Sequence, residues 1–273
     1  MISRRSGIAA FFIVTAVIIL AAVLAPRVPQ PRSYHQFADQ RAWLGILNFG
    51  DVASNFPFAV VGIWGLWFVW SERGRPQFLD QRERWPYALG FFGLFLTAFG
   101  SSYYHLAPDN ARLVWDRLPM TLVFMPLVAA MIAERISVKV GLWLLPVLTA
   151  IGAASVWQWY ASELRGEGDL RMYAAVQVYA LVILLVALLL PPRYTRNTDL
   201  LWVVGFYALA KILETADRQV FELTGRAVSG HTLKHLAAAM AGYWVLRMLT
   251  KRRPLVLCRG DAVNRPSAAS ANY

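Results

Sequence analysis

The sequence predicts an all-α protein, a polytopic bundle of transmembrane helices, on two observations. Hydrophobic residues make up 58% of the 273 residues and the mean hydropathy is +0.44, whereas ordinary soluble domains are about 45 to 50% apolar. Apolar runs of about 20 residues, the length that crosses a bilayer, recur along most of the chain between short charged connections. Because backbone groups in lipid must be satisfied internally, we expect each run to be a helix.

Eight apolar segments are long enough to be helices of this bundle. They are predicted at residues 7–25, 52–70, 87–105, 111–132, 138–157, 172–190, 200–217 and 231–249. Arg4 and Arg5 precede the first segment, as in a signal peptide, but Ala25-Pro26-Arg27 is a weak cleavage site. We therefore expect an uncleaved N-terminal anchor.

The connections divide the chain into an anchor, a core and a tail. Pro26, Pro29 and Pro31 break the chain after the first segment, and the polar, aromatic residues 30–51 are expected at the membrane interface. Residues 262–273 are small and polar without hydrophobic periodicity, which predicts disorder. The predicted regions are an anchor helix and linker over residues 1–34, a transmembrane core over 35–250 and a basic, disordered cytoplasmic tail over 251–273.

The charge pattern predicts membrane topology and does not predict nucleic-acid binding. The formal net charge is +11, but the basic residues are spread over many loops and not gathered on one face or in one tail. Lys and Arg are more numerous on the side that holds both termini, which predicts cytoplasmic termini. Arginine outnumbers lysine, which favours a bacterial inner membrane. The single cysteine, Cys258, allows no intrachain disulfide and no Cys-x-x-Cys site, so a metal must be held by histidine and carboxylate.

Polar residues cluster at one predicted depth around the turn after the third helix. Ser101 and His105 lie four residues apart and share a helix face. Asp109 or Asn110 can cap the helix that follows the turn. At 1.5 Å per residue, Ser101 and Asp116 both lie roughly 10 Å from the turn. These two residues can therefore converge with His105.

The last predicted helix begins with His231 and His235, whose spacing projects two imidazoles to one side. Because the third helix runs outward and the last runs inward, His105 is expected to meet this pair near the non-cytoplasmic surface. Three imidazoles leave a fourth position on zinc for water, which the ion acidifies to a pKa of about 7. In this hypothesis Asp116 takes a proton from that water and delivers it to a leaving amine, and Ser101 donates to the developing oxyanion.

Each motif alone also has a structural explanation. An isolated membrane histidine is usually a packing residue, but three of the four histidines of this chain fall at one level beside a serine and an aspartate, which favours a metal site. The fourth, His35, is expected to be a solvated loop residue and not a ligand. The spacings of Lys211, Glu214, Asp217 and Arg218 predict mutual ion pairs. The Trp and Tyr residues are assigned to interfacial belts and packing.

The combination of Ser101-x3-His105, Asp116 eleven residues on and His231-x3-His235 in the last helix resembles the alkaline ceramidases. These belong to the CREST superfamily of seven-helix membrane zinc hydrolases, and the resemblance covers approximately residues 35–248. It implies a seven-helix ceramidase-like core plus one extra N-terminal helix, with zinc on the three histidines and with Asp116 and Ser101 in contact with the zinc-bound water. It also implies cleavage of the amide bond of ceramide, or of a similar N-acyl lipid, to a sphingoid base and a fatty acid.

The resemblance also implies a possible calcium site, and the sequence differs from the ceramidase pattern at some positions. Alkaline ceramidases carry calcium before their first helix, which gives Asp39, Asn48 and Asp51 as possible oxygen ligands for Ca²⁺. The segment is shorter here, and Asn48 stands where the family has glutamate. Lys234 stands where ceramidases tend to have tryptophan. It is expected to project away from the metal face, toward another helix or the interface.

Two other functional classes stay open from the sequence. A receptor-like, lipid-binding protein of the adiponectin-receptor type would use the zinc frame to bind lipid or to stabilise the bundle without catalysis. An electron-transfer protein would use paired histidines as haem ligands. For the hydrolase, the expected partners are the bilayer and a ceramide-like lipid substrate, with no nucleic acid. The oligomeric state and the acyl-chain length are not predicted.

Overall fold

The computed structural model describes residues 4–255, and this part of the chain is all-α with no β-strand. The all-α prediction is confirmed, and each predicted apolar segment overlaps one of the long helices. The helices are α1 (Arg4–Leu24), α2 (Phe49–Ala53), α3 (Phe56–Trp70), α4 (Arg84–Leu106), α5 (Asn110–Arg135), α6 (Val138–Leu164), α7 (Arg171–Leu189), α8 (Asp199–Thr215), α9 (Asp217–Leu223) and α10 (Gly230–Lys251).

Within residues 4–255, five stretches are long and apolar enough to cross a membrane. They are Arg5–Leu24, Phe49–Trp70, Asn110–Arg135, Val138–Leu164 and Arg171–Leu189. These stretches indicate a membrane-associated protein. The other long helices, α4, α8 and α10, carry most of the polar side chains of the site described below, and α5 adds Asp116.

Helices α4 and α5 form the predicted antiparallel hairpin. A Cβ atom at Gly100 of α4 would lie 2.0 Å from the carbonyl oxygen of Trp115 in α5, so only glycine allows this approach. Small residues commonly let membrane helices pack this closely. The turn is capped by Asp109, whose Oδ1 accepts the Arg112 N–H at 2.7 Å. The hairpin brings the end of α4 beside the start of α5.

Helix α1 packs against α7 at the periphery of the bundle. Thr15 Oγ1 lies 3.1 Å from Tyr179 Oη, and Gly7 faces the side chain of Leu190. The other face of α1 is exposed and apolar, with Phe12 72% exposed, as expected of a helix surrounded by lipid. The anchor segment is therefore helical, and its assignment as a separate region stays a prediction.

The segment predicted as one helix over 52–70 is divided. The side chains of Ser54 and Asn55 both donate to the carbonyl oxygen of Asp51, at 3.1 and 2.8 Å. Such local side-chain hydrogen bonds compete with the backbone ladder of a helix. The short helix α2 therefore ends at Ala53, and α3 begins at Phe56 after two intervening residues.

The segment predicted over 200–217 is divided as well, because α8 ends at Thr215 and α9 follows. The carboxylate of Asp217, at the start of α9, accepts the backbone N–H groups of Ala38 at 2.9 Å and of His231 at 2.8 Å. One side chain thus ties the connection before α2 to the starts of α9 and α10. The connection, predicted as an interfacial loop, lies against the end of the bundle.

A buried arginine packs against the C-terminal end of α5. Arg252 is 1% exposed, pairs with Glu134, donates to the carbonyl oxygen of Gln77 at 3.0 Å and lies over the ring of Tyr194 at 4.0 Å. Residues at the start of the predicted tail are therefore packed against the bundle. The remainder of that tail, residues 256–273 with Cys258, lies outside the described residues.

Candidate metal centre

Three buried histidines meet where α4 ends and α10 begins. The centroid of the His105 ring lies 4.8 Å from that of His231 and 4.9 Å from that of His235, and the last two are 5.0 Å apart. One ligand atom of each ring lies within 4.8 Å of the others. The prediction that these rings come together is confirmed, and the cluster could hold a metal ion.

Several ring nitrogens of this cluster have no hydrogen-bond partner and are therefore available to bind a metal ion. Both nitrogens of His105 and Nε2 of His231 are buried without a hydrogen-bond partner. An unpaired buried polar group costs about 1 to 3 kcal/mol, and an ion shared between the two histidines would remove this cost for one nitrogen of each ring. Tetrahedral zinc binds neutral imidazole at about 2.0 to 2.1 Å. The donor set therefore fits a three-histidine metal site.

His235 is oriented by a neighbour that the sequence did not reveal. Its Nδ1 lies 2.8 Å from Ser54 Oγ, and Ser54 Oγ donates to the carbonyl oxygen of Asp51 at 3.1 Å. Since the Ser54 proton is used there, Nδ1–H donates to Ser54 and leaves Nε2 free for the cluster. Such a partner on the distal nitrogen is the usual way to fix the tautomer of a ligating histidine.

The connection before α2 covers the other side of the cluster. The ring of Phe37 lies 4.7 Å from that of His105 and 4.5 Å from that of His231. Asn48 Nδ2 donates to the carbonyl oxygen of His105 at 2.8 Å. An apolar ring over two imidazoles limits access of water from this side, and the amide fixes the end of α4.

The start of α10 is placed by its own cap and by a glycine. Ser229 Oγ accepts the Thr232 N–H at 2.9 Å, as an N-cap residue does. A Cβ atom at Gly230 would lie 2.4 Å from the carbonyl oxygen of Leu213, so glycine is needed for α10 to begin this close to α8. Together these contacts fix the position of His231.

Ser101 and Asp116 lie next to each other and face one cavity. Ser101 is 2% and Asp116 7% exposed, the Ser101 hydroxyl interacts with the Asp116 carboxyl, and both line a cavity that also contains His235. Ser101 and Asp116 are therefore brought together, and their catalytic roles stay a prediction. The cavity is thus lined by a carboxyl group, a hydroxyl group and an imidazole, which together can serve acid–base chemistry.

The cavity has one polar and one apolar end. It encloses about 1100 Å³ of atom-free space, including its open side. Its apolar part runs between α7, α8 and α10 and includes Leu184, Val203 and Val245. Along α10 the lining extends from Lys234 to Val245, about 16 Å at 1.5 Å per residue. A long amphiphilic molecule matches this shape better than a compact polar one.

Lys234 lines the same cavity as His235. The expectation that it projects toward another helix is confirmed, because its Nζ donates to Glu214 Oε1 of α8 at 2.7 Å. Its projection away from the metal face stays a prediction. Glu214 also pairs with Lys211, as the helical spacing predicted, whereas Asp217 holds backbone N–H groups instead of a cation.

Asp39 and Asp51, two of the three residues suggested for calcium, use carboxylate oxygens in hydrogen bonds within the protein. Both carboxylate oxygens of Asp39 accept from the Arg41 guanidinium, at 2.8 and 2.7 Å, and these hydrogen bonds hold the pKa of Asp39 below its ordinary value. Asn48 donates through Nδ2 to the carbonyl oxygen of His105, and Asp51 Oδ1 accepts from Thr232 Oγ1 at 2.8 Å. The other carboxylate oxygen of Asp51, Oδ2, is buried without a partner. The calcium site stays a prediction.

His35 is not part of the histidine cluster, as predicted, but it is not freely solvated. Its Nδ1 lies 2.9 Å from Tyr104 Oη and its Nε2 lies 3.0 Å from Asn110 Oδ1. With both ring nitrogens bonded to protein, His35 fastens the connection before α2 to the α4–α5 turn.

No protein-family model matches the chain, and no curated protein matches it with significant similarity. The contacts around the histidine cluster are therefore the basis on which a function is assigned.

Proposed function

We propose that this chain is a zinc-dependent intramembrane hydrolase that cleaves the amide bond of ceramide or a similar N-acyl lipid to an amine and a fatty acid. One observation carries the proposal: a three-histidine cluster with unpaired ring nitrogens shares His235 with an amphiphilic cavity that is also lined by Ser101 and Asp116. We place the site in a seven-helix core related to the alkaline ceramidases, with α1 as an added helix.

The residues of the cavity account for the parts of an amide hydrolysis. In the overall step, a water oxygen bonds to the acyl carbon, the carbon–nitrogen bond breaks and a proton passes to the leaving nitrogen. Asp116 accepts the proton of the attacking water and returns it to the nitrogen. The Ser101 hydroxyl donates to the carbonyl oxygen as negative charge develops there. Zinc on the three histidines would supply Lewis-acid activation of water.

The apolar end of the cavity accounts for the substrate class. The part of the cavity away from the polar residues is lined by Leu184, Val203 and Val245. An acyl chain would be shielded from water there. The amide group then lies beside Ser101 and Asp116. We further propose that the protein lies in a bacterial inner membrane with both termini cytoplasmic and this site toward the other side.

Asp116→Asn tests the proposal without removing a metal ligand. We expect ceramide or N-acyl lipid hydrolysis, measured as fatty-acid release by mass spectrometry, to fall at least about 100-fold, the usual contribution of a general base. Metal content should stay unchanged. Asp80→Asn is the control, since Asp80 pairs only with Arg82 in a loop at the far end.

Two outcomes would contradict this function. Asp116→Asn protein that hydrolyses lipid at the original rate would remove the proposed role of the carboxylate. Metal-loaded protein that binds ceramide tightly without releasing fatty acid would instead support the receptor-like class.

A further inference from the structure

A group of charged side chains at the polar end of the cavity has no role in the hydrolysis proposed above. Lys234 donates to Glu214 Oε1 at 2.7 Å, Lys211 pairs with Glu214 Oε2, and Tyr34 Oη donates to Glu214 Oε1 at 3.1 Å. Two lysines share one carboxylate. The group formed by Lys211, Glu214 and Lys234, here called the lysine pair site, therefore carries one positive charge more than it neutralises internally.

The lysine pair site is continuous with the reaction site. Its three residues line the same cavity as Ser101 and Asp116, and Lys234 directly precedes the ligand candidate His235. The Lys234 side chain is only 15% exposed, whereas that of Lys211 is 52% exposed. The site thus leads from the surface of the protein toward the position proposed for the amide group.

With a metal ion on the histidines, the charges at this end of the cavity favour an anion. The carboxylates and ammonium groups of the lining are Asp116, Lys211, Glu214 and Lys234, two of each sign. A divalent metal ion on neutral imidazoles adds two positive charges to the same end. Charged residues are costly inside a membrane protein and usually mark a functional path. One lysine would suffice for a structural pair with Glu214, so the second calls for another partner.

We propose, building on the hydrolase activity above, that the amide lipid carries an acidic group on its amine portion, as an N-acyl amino acid does. Lys211 and Lys234 bind this acidic group at the open, polar end of the cavity. The amide lies beside Ser101 and Asp116, and the acyl chain extends toward Val245. The departure at Lys234 from the ceramidase pattern then reflects a different headgroup.

Two lipids that differ only in the headgroup test this inference. N-palmitoylglycine carries a carboxylate where N-palmitoylethanolamine carries a neutral alcohol carbon. With purified, metal-loaded full-length protein in neutral detergent micelles, we expect kcat/KM for the acid to exceed that for the alcohol about 10- to 100-fold, the range of a charge-assisted hydrogen bond. In Lys211→Met this ratio should fall toward one, because Lys211 no longer contacts the carboxylate while Lys234 still pairs with Glu214.

Lys139→Met is the matched control, because Lys139 is exposed at the start of α6 and should leave the ratio unchanged. Equal kcat/KM for the two lipids with the unmodified protein would overturn the headgroup inference and leave the hydrolase proposal standing, and this comparison needs no variant to fold. A ratio that Lys211→Met does not change would also overturn it. Metal-loaded protein that cleaves neither lipid nor ceramide would overturn the hydrolase proposal itself.

Discussion

At the scale of single residues, the three imidazoles are held in different ways. His235 has a side-chain hydrogen bond from its distal nitrogen to Ser54. His231 is placed through its backbone N–H by Asp217, and His105 through its carbonyl oxygen by Asn48. Because only Ser54 contacts a ring nitrogen, it is the neighbour that most directly sets the tautomer and the basicity of a ligand.

Ser54→Ala should therefore weaken metal binding without removing a ligand. Loss of such a partner typically costs 10- to 100-fold in metal affinity, so we expect about that increase in Kd, measured by competition with a zinc chelator. Ser155→Ala is the control, since Ser155 is also buried but donates only to the Gly152 carbonyl oxygen within α6, at 2.7 Å. An unchanged Kd in Ser54→Ala would contradict the assigned role.

At the scale of helices, the site depends on how closely α4, α5 and α10 approach. The α4–α5 hairpin brings Ser101 and His105 beside Asp116, and its spacing is set at Gly100, where a Cβ atom would collide with the Trp115 carbonyl oxygen. A backbone atom cannot move aside as a flexible side chain can. Substitution at this position must therefore separate the two helices.

Gly100→Ala should destabilise the protein and impair the site together. We expect the cost to approach the upper end of the about 1 to 3 kcal/mol seen for overpacking, measured as a lower Tm in detergent, with weaker zinc binding. Gly205→Ala is the control, because a Cβ atom at Gly205 of α8 meets nothing within 4 Å. A Tm for Gly100→Ala equal to that of the control would show that the hairpin is not tightly packed.

At the scale of the whole molecule, the sequence predicted the features that depend on a regular spacing of residues along a helix. Apolar runs predicted the long helices, and the i, i+4 spacings with the α4–α5 turn predicted that Ser101, His105, Asp116 and the histidine pair meet. Ser54 and Phe37 were not predicted, because they reach the site from irregular segments whose path depends on tertiary contacts. The break before α3 was missed for a related reason: Ser54 and Asn55 bind the Asp51 carbonyl oxygen.

The lysine pair site also contains a contact that the sequence could not predict. Helical spacing predicted the pair between Lys211 and Glu214, which lie on one helix. It could not predict Lys234 as the second partner, because that contact joins α10 to α8. Local periodicity shows which side chains share a face, and only the packed bundle shows what that face meets.

The central claim, that three histidines from two distant segments bind one metal ion, is tested most directly by the metal content of the purified protein. We expect one zinc ion per chain by mass spectrometry, and close to none after single substitution of His105, His231 or His235 by alanine. His35→Ala should retain one ion, because both ring nitrogens of His35 are bonded to protein. Folded protein that takes up no metal when supplied with zinc, or alanine variants that all keep one equivalent, would contradict the account.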